Sequence, residues 1–157
     1  MQRLVSAGMM LFLGAVAADA DTLTYENERF GTSISFPADV FDRIDPAPSN
    51  GDGRTFVSSD DAELIVFARR KADGVTVQSL LKQLVDVASA NGIPATYKAS
   101  GKNWLVVSGY DDNIIYYERH EFGSNGVIHT MTMRYPVRFR DKYDPFVGPI
   151  ARSLDGP

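Results

Sequence analysis

Apolar and polar residues alternate with period two through most of the stretches between Gly, Pro, Asn and Asp clusters, the pattern of strands with one covered face. Trp104 to Tyr135, WLVVSGYDDNIIYYERHEFGSNGVIHTMTMRY, reads as three consecutive antiparallel strands joined by two turns. The first turn is predicted as three residues, Asp111-Asp112-Asn113, whose short side chains bond nearby backbone and tolerate left-handed conformations. The second is predicted within Gly123-Ser124-Asn125-Gly126, where Asn-Gly is a strong hairpin signal. A four-residue second loop sets His120 opposite His129, and a two-residue Asn125-Gly126 turn sets His120 opposite Met131. Both keep the same side chains on the same faces. One face then carries Trp104, Val106, Ser108 and Tyr110, then Ile114, Tyr116, Glu118, His120 and Phe122, then Val127, His129, Met131, Met133 and Tyr135. The other carries Ile115, Tyr117, Arg119 and Glu121 beside Ile128, Thr130, Thr132 and Arg134.

Elsewhere the same alternation predicts strands over Thr22 to Glu26 and Thr32 to Phe36, a hairpin from Arg54 to Ser58 and Glu63 to Arg69, and a strand over Ala95 to Ser100. Ala38 to Phe41 is read as a single helical turn, and Asp45 to Gly53 as loop. Periodicity switches to helical once clearly, over Thr76 to Asn91, where Leu80, Leu81, Leu84, Val85 and Ala88 make an apolar stripe. Thr76 caps its start, and Asn91-Gly92 with Ile93 and Pro94 close its end. Asp144-Pro145 predicts the opening of a terminal helix toward Leu154, with Pro149 as a source of kinking. Strands that pair with their neighbours plus two helices make an α+β layout, in which the helical stripe needs a sheet face to cover it.

At 157 residues the chain has room for one domain with a true core. A formal net charge of −4 argues against nucleic acid as a partner, since that calls for a basic footprint. The first residues change the picture more. Met1-Gln2-Arg3 is a short positive region, Leu4 to Ala17 is apolar, and Ala15-Val16-Ala17 and Ala18-Asp19-Ala20 both fit a small-x-small cleavage pattern. Residues 1–20 read as a secretory signal peptide cut after Ala17 or Ala20, leaving residues 21–157 as a single domain with no membrane span. The chain has no cysteine, so no disulfide supports it, which suits the bacterial periplasm better than a small stapled secreted module.

Candidate chemistry is sparse. Glu118, His120 and His129 form the single His/carboxylate cluster, and on a common face they could hold a zinc ion or act as a base and its orienter. The competing reading is a half-buried His pair bonded to Glu118 and a Tyr. Asn50-Gly51-Asp52-Gly53 resembles half of a calcium loop but lacks the distal bidentate Glu, so it reads as a turn. Ser108 lacks the flanking glycines of a nucleophile elbow, and no phosphate loop or HExxH is present. Tyr97, Trp104, Tyr110, Tyr116, Tyr117 and Tyr135 form an aromatic band, by default core and a recognition surface wherever it is exposed.

Several turn and strand signatures carry a family resemblance. GDGRTFVSS (Gly51 to Ser59), GKNWLVVSGY (Gly101 to Tyr110), IIYYER (Ile114 to Arg119), His129, RYP (Arg134 to Pro136) and YDP (Tyr143 to Pro145) together resemble secreted proteobacterial proteins of unassigned function with the PsbP-like fold. The likeness spans about Tyr25 to Leu154. It implies an antiparallel sheet of about six to eight strands with a helix packed on each face, an α/β/α arrangement. It also implies a noncatalytic binding or assembly factor. From the residues themselves, the aromatic and His-bearing area at Trp104, Tyr116, Glu118, His120 and His129 is the expected ligand-binding area. The chain departs from lipoprotein relatives in lacking a lipobox cysteine. The expected function is therefore an exported binding module for a protein or small-molecule partner in the periplasm, without a cofactor. The alternative is a zinc-binding protein using His120, His129 and Glu118.

Overall fold

The computed structural model describes residues 21–157, and the expected signal segment, residues 1–20, lies outside them. Strands β1 (Thr22–Glu26) and β2 (Ser33–Pro37) pair as a separate hairpin. They are followed by β3 (Arg43–Ile44), β4 (Gly53–Val57), β5 (Glu63–Arg70), α1 (Val77–Ala90), β6 (Ala95–Ser100), β7 (Trp104–Asp111), β8 (Ile114–Phe122) and β9 (Val127–Pro136). A 3-10 turn at Val137–Phe139 then leads into α2 (Arg140–Ser153). From β3 onward the strands form one seven-stranded antiparallel sheet in the order β3-β4-β5-β9-β8-β7-β6. The chain leaves β5, crosses through α1 to the far edge at β6, and folds back strand by strand until β9 closes against β5. Among the described residues no helix is long and apolar enough to cross a membrane.

A helix covers each face. α2 and the β1-β2 hairpin bury Phe36, Phe56, Leu64, Met131, Met133, Tyr143 and Ile150 on one side, and α1 buries Leu80 against Leu105 and Ile128 on the other. Strand β9 is covered on both faces, so Val127 to Met131 are all buried, the polar His129 and Thr130 among them. The start of α1 is a reciprocal capping box: Thr76 Oγ1 accepts from the Ser79 N–H at 3.1 Å, and Ser79 Oγ accepts from the Thr76 N–H at 2.9 Å. Its end closes through Gly92 at φ +75, with the Ile93 N–H returning to the Ala88 carbonyl at 3.0 Å.

Both meander turns differ from expectation by one residue. The β7–β8 turn is two residues, Asp112-Asn113, with Asp111 opposite Ile114 and Asp112 in the left-handed region at φ 55. The β8–β9 loop is three residues, Ser124 to Gly126, closed by the Gly123 N–H on the Val127 carbonyl at 2.8 Å, with Gly126 at φ 76. A three-residue loop with its last residue left-handed is a standard hairpin solution. A one-residue slip turns a whole strand over. Strand β8 is therefore inverted relative to the expected arrangement, while β9, inverted twice, keeps its expected relation to Trp104.

Helix α2 also departs from expectation. It starts at Arg140 and runs through Pro145 and Pro149. Each proline forfeits one helical hydrogen bond, but Tyr143, Val147, Ile150 and Ala151 are buried against the sheet and hairpin. Packing of that face outweighs the two missing bonds.

Candidate functional site

The inversion of β8 separates the residues expected to act together. Trp104 lies opposite Glu121, and Glu121 opposite His129, on the α2 side. His120 lies opposite Leu105 and Thr130, and Glu118 opposite Val107 and Thr132, on the α1 side. Tyr116 turns to the α1 side too, where its hydroxyl donates to the Ile93 carbonyl at 3.1 Å and burial raises its phenol. The sheet stands between the two imidazoles, so one zinc ion cannot be shared by His120, His129 and Glu118. That expectation is corrected by the register. Among the described residues no group of three His, Cys, Asp or Glu is placed to hold a metal.

Each histidine has its own local arrangement. His120 Nε2 meets Glu118 Oε1 at 2.7 Å, and its Nδ1 meets Thr130 Oγ1 at 2.9 Å. Carboxylate, imidazole and hydroxyl stand in the sequence of a nucleophilic triad. Thr130 is fully buried and His120 is 3% exposed, so no substrate reaches the hydroxyl, and the trio is a satisfied polar network inside the fold. His129 is fully buried as well. Its Nδ1 meets Thr32 Oγ1 at 2.8 Å, and Gly156 packs so close to the ring that a Cβ there would overlap it. The Pro157 carbonyl lies beside Nε2 and favours a proton there, but falls short of hydrogen-bond geometry, leaving Nε2 without a partner. Burial holds this imidazole below its ordinary value, opposed by that carbonyl and by the charges of Asp155 and Glu121.

Trp104 and His129 do border one cavity of about 270 Å³, with Glu121, Asp155 and Gly156. Arg119 stacks 4.7 Å from the indole and is bound to Glu121. Of the five residues of the expected ligand-binding area, two, Trp104 and His129, thus meet, and Tyr116, Glu118 and His120 lie across the sheet. The half calcium loop behaves as a turn: Asp52 is taken by Arg29 at 2.6 Å and by Asn50 at 2.6 Å. Ser108 donates its hydroxyl to the Tyr116 carbonyl at 2.8 Å.

The exposed part of the aromatic band lies elsewhere on the α2 side. Helix α2 packs on β9 and β8, and a groove of about 500 Å³ lies between it and the ends of β6 and β7 at Tyr97 and Tyr110. Tyr97 and Tyr110 stand in it at 56% and 39% exposure, beside Tyr117, Tyr135, Arg140 and Asp144. Alternation along β6, β7 and β8 places Tyr97, Tyr110 and Tyr117 on this face. One turn of α2 supplies Arg140 and Asp144 as an i,i+4 pair, Nε to Oδ2 at 3.2 Å. Arg140 also donates to the Tyr110 hydroxyl at 2.8 Å, and the Tyr135 hydroxyl donates to Asp144 Oδ1 at 2.6 Å. Burial, then Asp144, pushes the Tyr135 phenol far up, and burial raises Tyr117. Both phenols stay protonated near neutral pH, and the Tyr135 hydroxyl serves as a donor. The groove offers stacking faces, hydroxyls and one guanidinium, the means of recognition. The aromatic band in the sequence already held four of its tyrosines. Arg140 and Asp144 escaped sequence reading because the helix that spaces them was expected to begin only at Asp144.

No family model matches the chain, and no curated protein does. Among solved structures it is similar to cyanobacterial PsbP (CyanoP) from Synechocystis sp. PCC 6803, at 11% identity over 92% of this chain and 96% of that one, with a TM-score of 0.65. It is also similar to the Saccharomyces cerevisiae Ran-binding protein Mog1p, at 9% identity over 88% of this chain and 96% of that one, with a TM-score of 0.60. Likeness at such low identity is likeness of fold, and the fold of this chain is PsbP/Mog1-like α+β.

Proposed function

We propose that this chain is an exported, noncatalytic binding or assembly module of the bacterial periplasm, whose partner seats in the groove of Tyr97, Tyr110, Arg140 and Asp144. The observation that carries this reading is the exposure of two tyrosines, one bound to a guanidinium, beside a helix that stops short of the sheet edge. Amphipathic rings and arginine in a concave site are favoured anchors for a partner. Mog1p, a protein of the same fold, is by its name a binder of Ran, which supports a protein as the partner class. Tagged protein should capture from periplasm a partner that the double variant Tyr97→Ser, Tyr110→Ser fails to capture. Equal capture by both would reject the groove. Export is tested separately. The purified protein should begin at Ala18 or Asp21, and a chain still starting at Met1 would reject a cleaved signal.

A further inference from the structure

The groove ends at β6, one of the two edges of the seven-stranded sheet. The other edge, β3, is two residues long, whereas β6 is six residues of extended, largely exposed backbone without proline. The Gly101 N–H bonds to the Trp104 carbonyl at 2.9 Å, which fixes the phase of the β6–β7 ladder. By alternation Tyr97 and Ala99 bond inward to Ser108 and Val106, and Lys98 and Ser100 turn their N–H and C=O outward. Among the described residues no backbone hydrogen bond reaches those outward groups.

Two concavities flank this edge. In front lies the tyrosine groove. Behind, α1 overhangs β6 and leaves a second, mostly apolar depression of about 350 Å³ beside Leu81, Val85 and Lys98. A strand laid along β6 would send alternate side chains into one and the other. Lys98, exposed at the rear depression, has no ion-pair partner among the described residues, while Lys82 and Asp86, which also line it, pair with each other at 2.5 Å. The rear position therefore favours a carboxylate, and the front favours an aromatic or large apolar side chain against Tyr97 and Tyr110. A second copy of the chain is a poor occupant. Antiparallel pairing of two β6 strands about a two-fold axis sets both Lys98 side chains on one side of the ribbon as near neighbours, where like charges destabilise.

We infer that the partner of this module is an extended peptide segment that adds to β6 as an eighth strand, alternating aromatic or apolar residues with acidic ones. Main-chain bonds to Lys98 and Ser100 supply affinity, and the flanking concavities select the sequence. The inference rests on the proposed binding role of the groove and names the form its ligand takes.

The test selects binders to the purified protein from a random ten-residue peptide library and measures their affinities for variants. Lys98→Pro removes an N–H that points outward, a substitution edge strands tolerate. It should weaken the selected peptides at least tenfold, and Lys98→Glu should abolish the preference for acidic residues. Independently of any variant, a bound peptide should slow exchange of the Lys98 and Ser100 amides at least tenfold. Selected peptides without alternation, undiminished binding to Lys98→Pro, or unaltered exchange of those two amides would each overturn the inference. A concentration-dependent dimer dissolved by Lys98→Pro would overturn it in favour of a second copy. If Tyr97→Ser with Tyr110→Ser removes binding while Lys98→Pro does not, the groove stands and the added strand falls. If neither change matters, both fall.

Discussion

His129 is an imidazole that the fold buries, and burial favours its neutral form. Its folded-state affinity for a proton is lowered chiefly by burial, whereas in the unfolded chain it titrates near the ordinary 6.5. The unfolded state thus takes up a proton that the native ring refuses, and stability rises with pH across that window. The contribution is complete above the unfolded value and drains away as pH falls below it toward the depressed native value. Urea midpoints should decline from pH 7.5 to 5.5, and His129→Gln should flatten that decline while losing stability at pH 7.5. A variant that keeps the full slope would show that His129 is not its source. The other histidine makes a different prediction. With Thr130 fully buried and bonded to His120 Nδ1, Thr130→Val leaves a buried ring nitrogen without its partner and should cost about 1–3 kcal/mol. Thr130→Ser should recover most of it in the same urea titration.

At the scale of elements, the strands other than the two-residue β3, and α1 with its caps, were legible because each is written locally: alternation for strands, a stripe plus Thr76 and Gly92 for the helix. The register was not. Its parity depends on whether a turn spends two, three or four residues, and Asp111 to Asn113 and Gly123 to Gly126 each admit neighbouring solutions. The choice is made by long-range packing, since β9 is covered on both sides and Met131 and Met133 must meet Val66 and Leu64. That is why the candidate site was legible only in part: Trp104 and His129 share one side, and Tyr116, Glu118 and His120 lie on the other. The start of α2 was hidden for a related reason. Pro145 looks like a first helical residue, and the buried contacts of Tyr143 that extend the helix backward are tertiary. If packing rather than turn chemistry sets the register, one glycine inserted between Ser124 and Asn125 should be absorbed by the loop. It should cost less than about 1 kcal/mol and leave the Glu121–His129 pairing intact, read from cross-strand amide and Hα contacts by NMR. A shifted pairing would place the information in the turn instead.

Across the whole molecule the sheet divides two unequal cores. The α2 side joins that helix, the β1-β2 hairpin and the sheet centre into one large apolar cluster, tied further by the Tyr143 hydroxyl on Ser58 at 2.8 Å and by Ser153 bonding Ser35. The α1 side buries only Val77 and Leu80 of its helix against Leu105 and Ile128. Local opening follows the thinner attachment, so α1 should detach while the sheet and α2 remain folded. Native-state hydrogen exchange should give α1 amides a smaller opening free energy, and a weaker urea dependence, than those of β9. Two truncations separate this from global unfolding. Leu80→Ala removes contacts that exist only while α1 is docked, so protection falls in α1 and β9 alike, by about 2–5 kcal/mol. Ile150→Ala weakens the native and the α1-detached states equally, so β9 protection should fall by a similar amount while α1 protection holds. Parallel losses in α1 and β9 for Ile150→Ala would mean the two cores open as one. Because α1 also walls the rear depression beside β6, a peptide seated there should slow the opening of α1 while leaving α2 exchange tied to global unfolding.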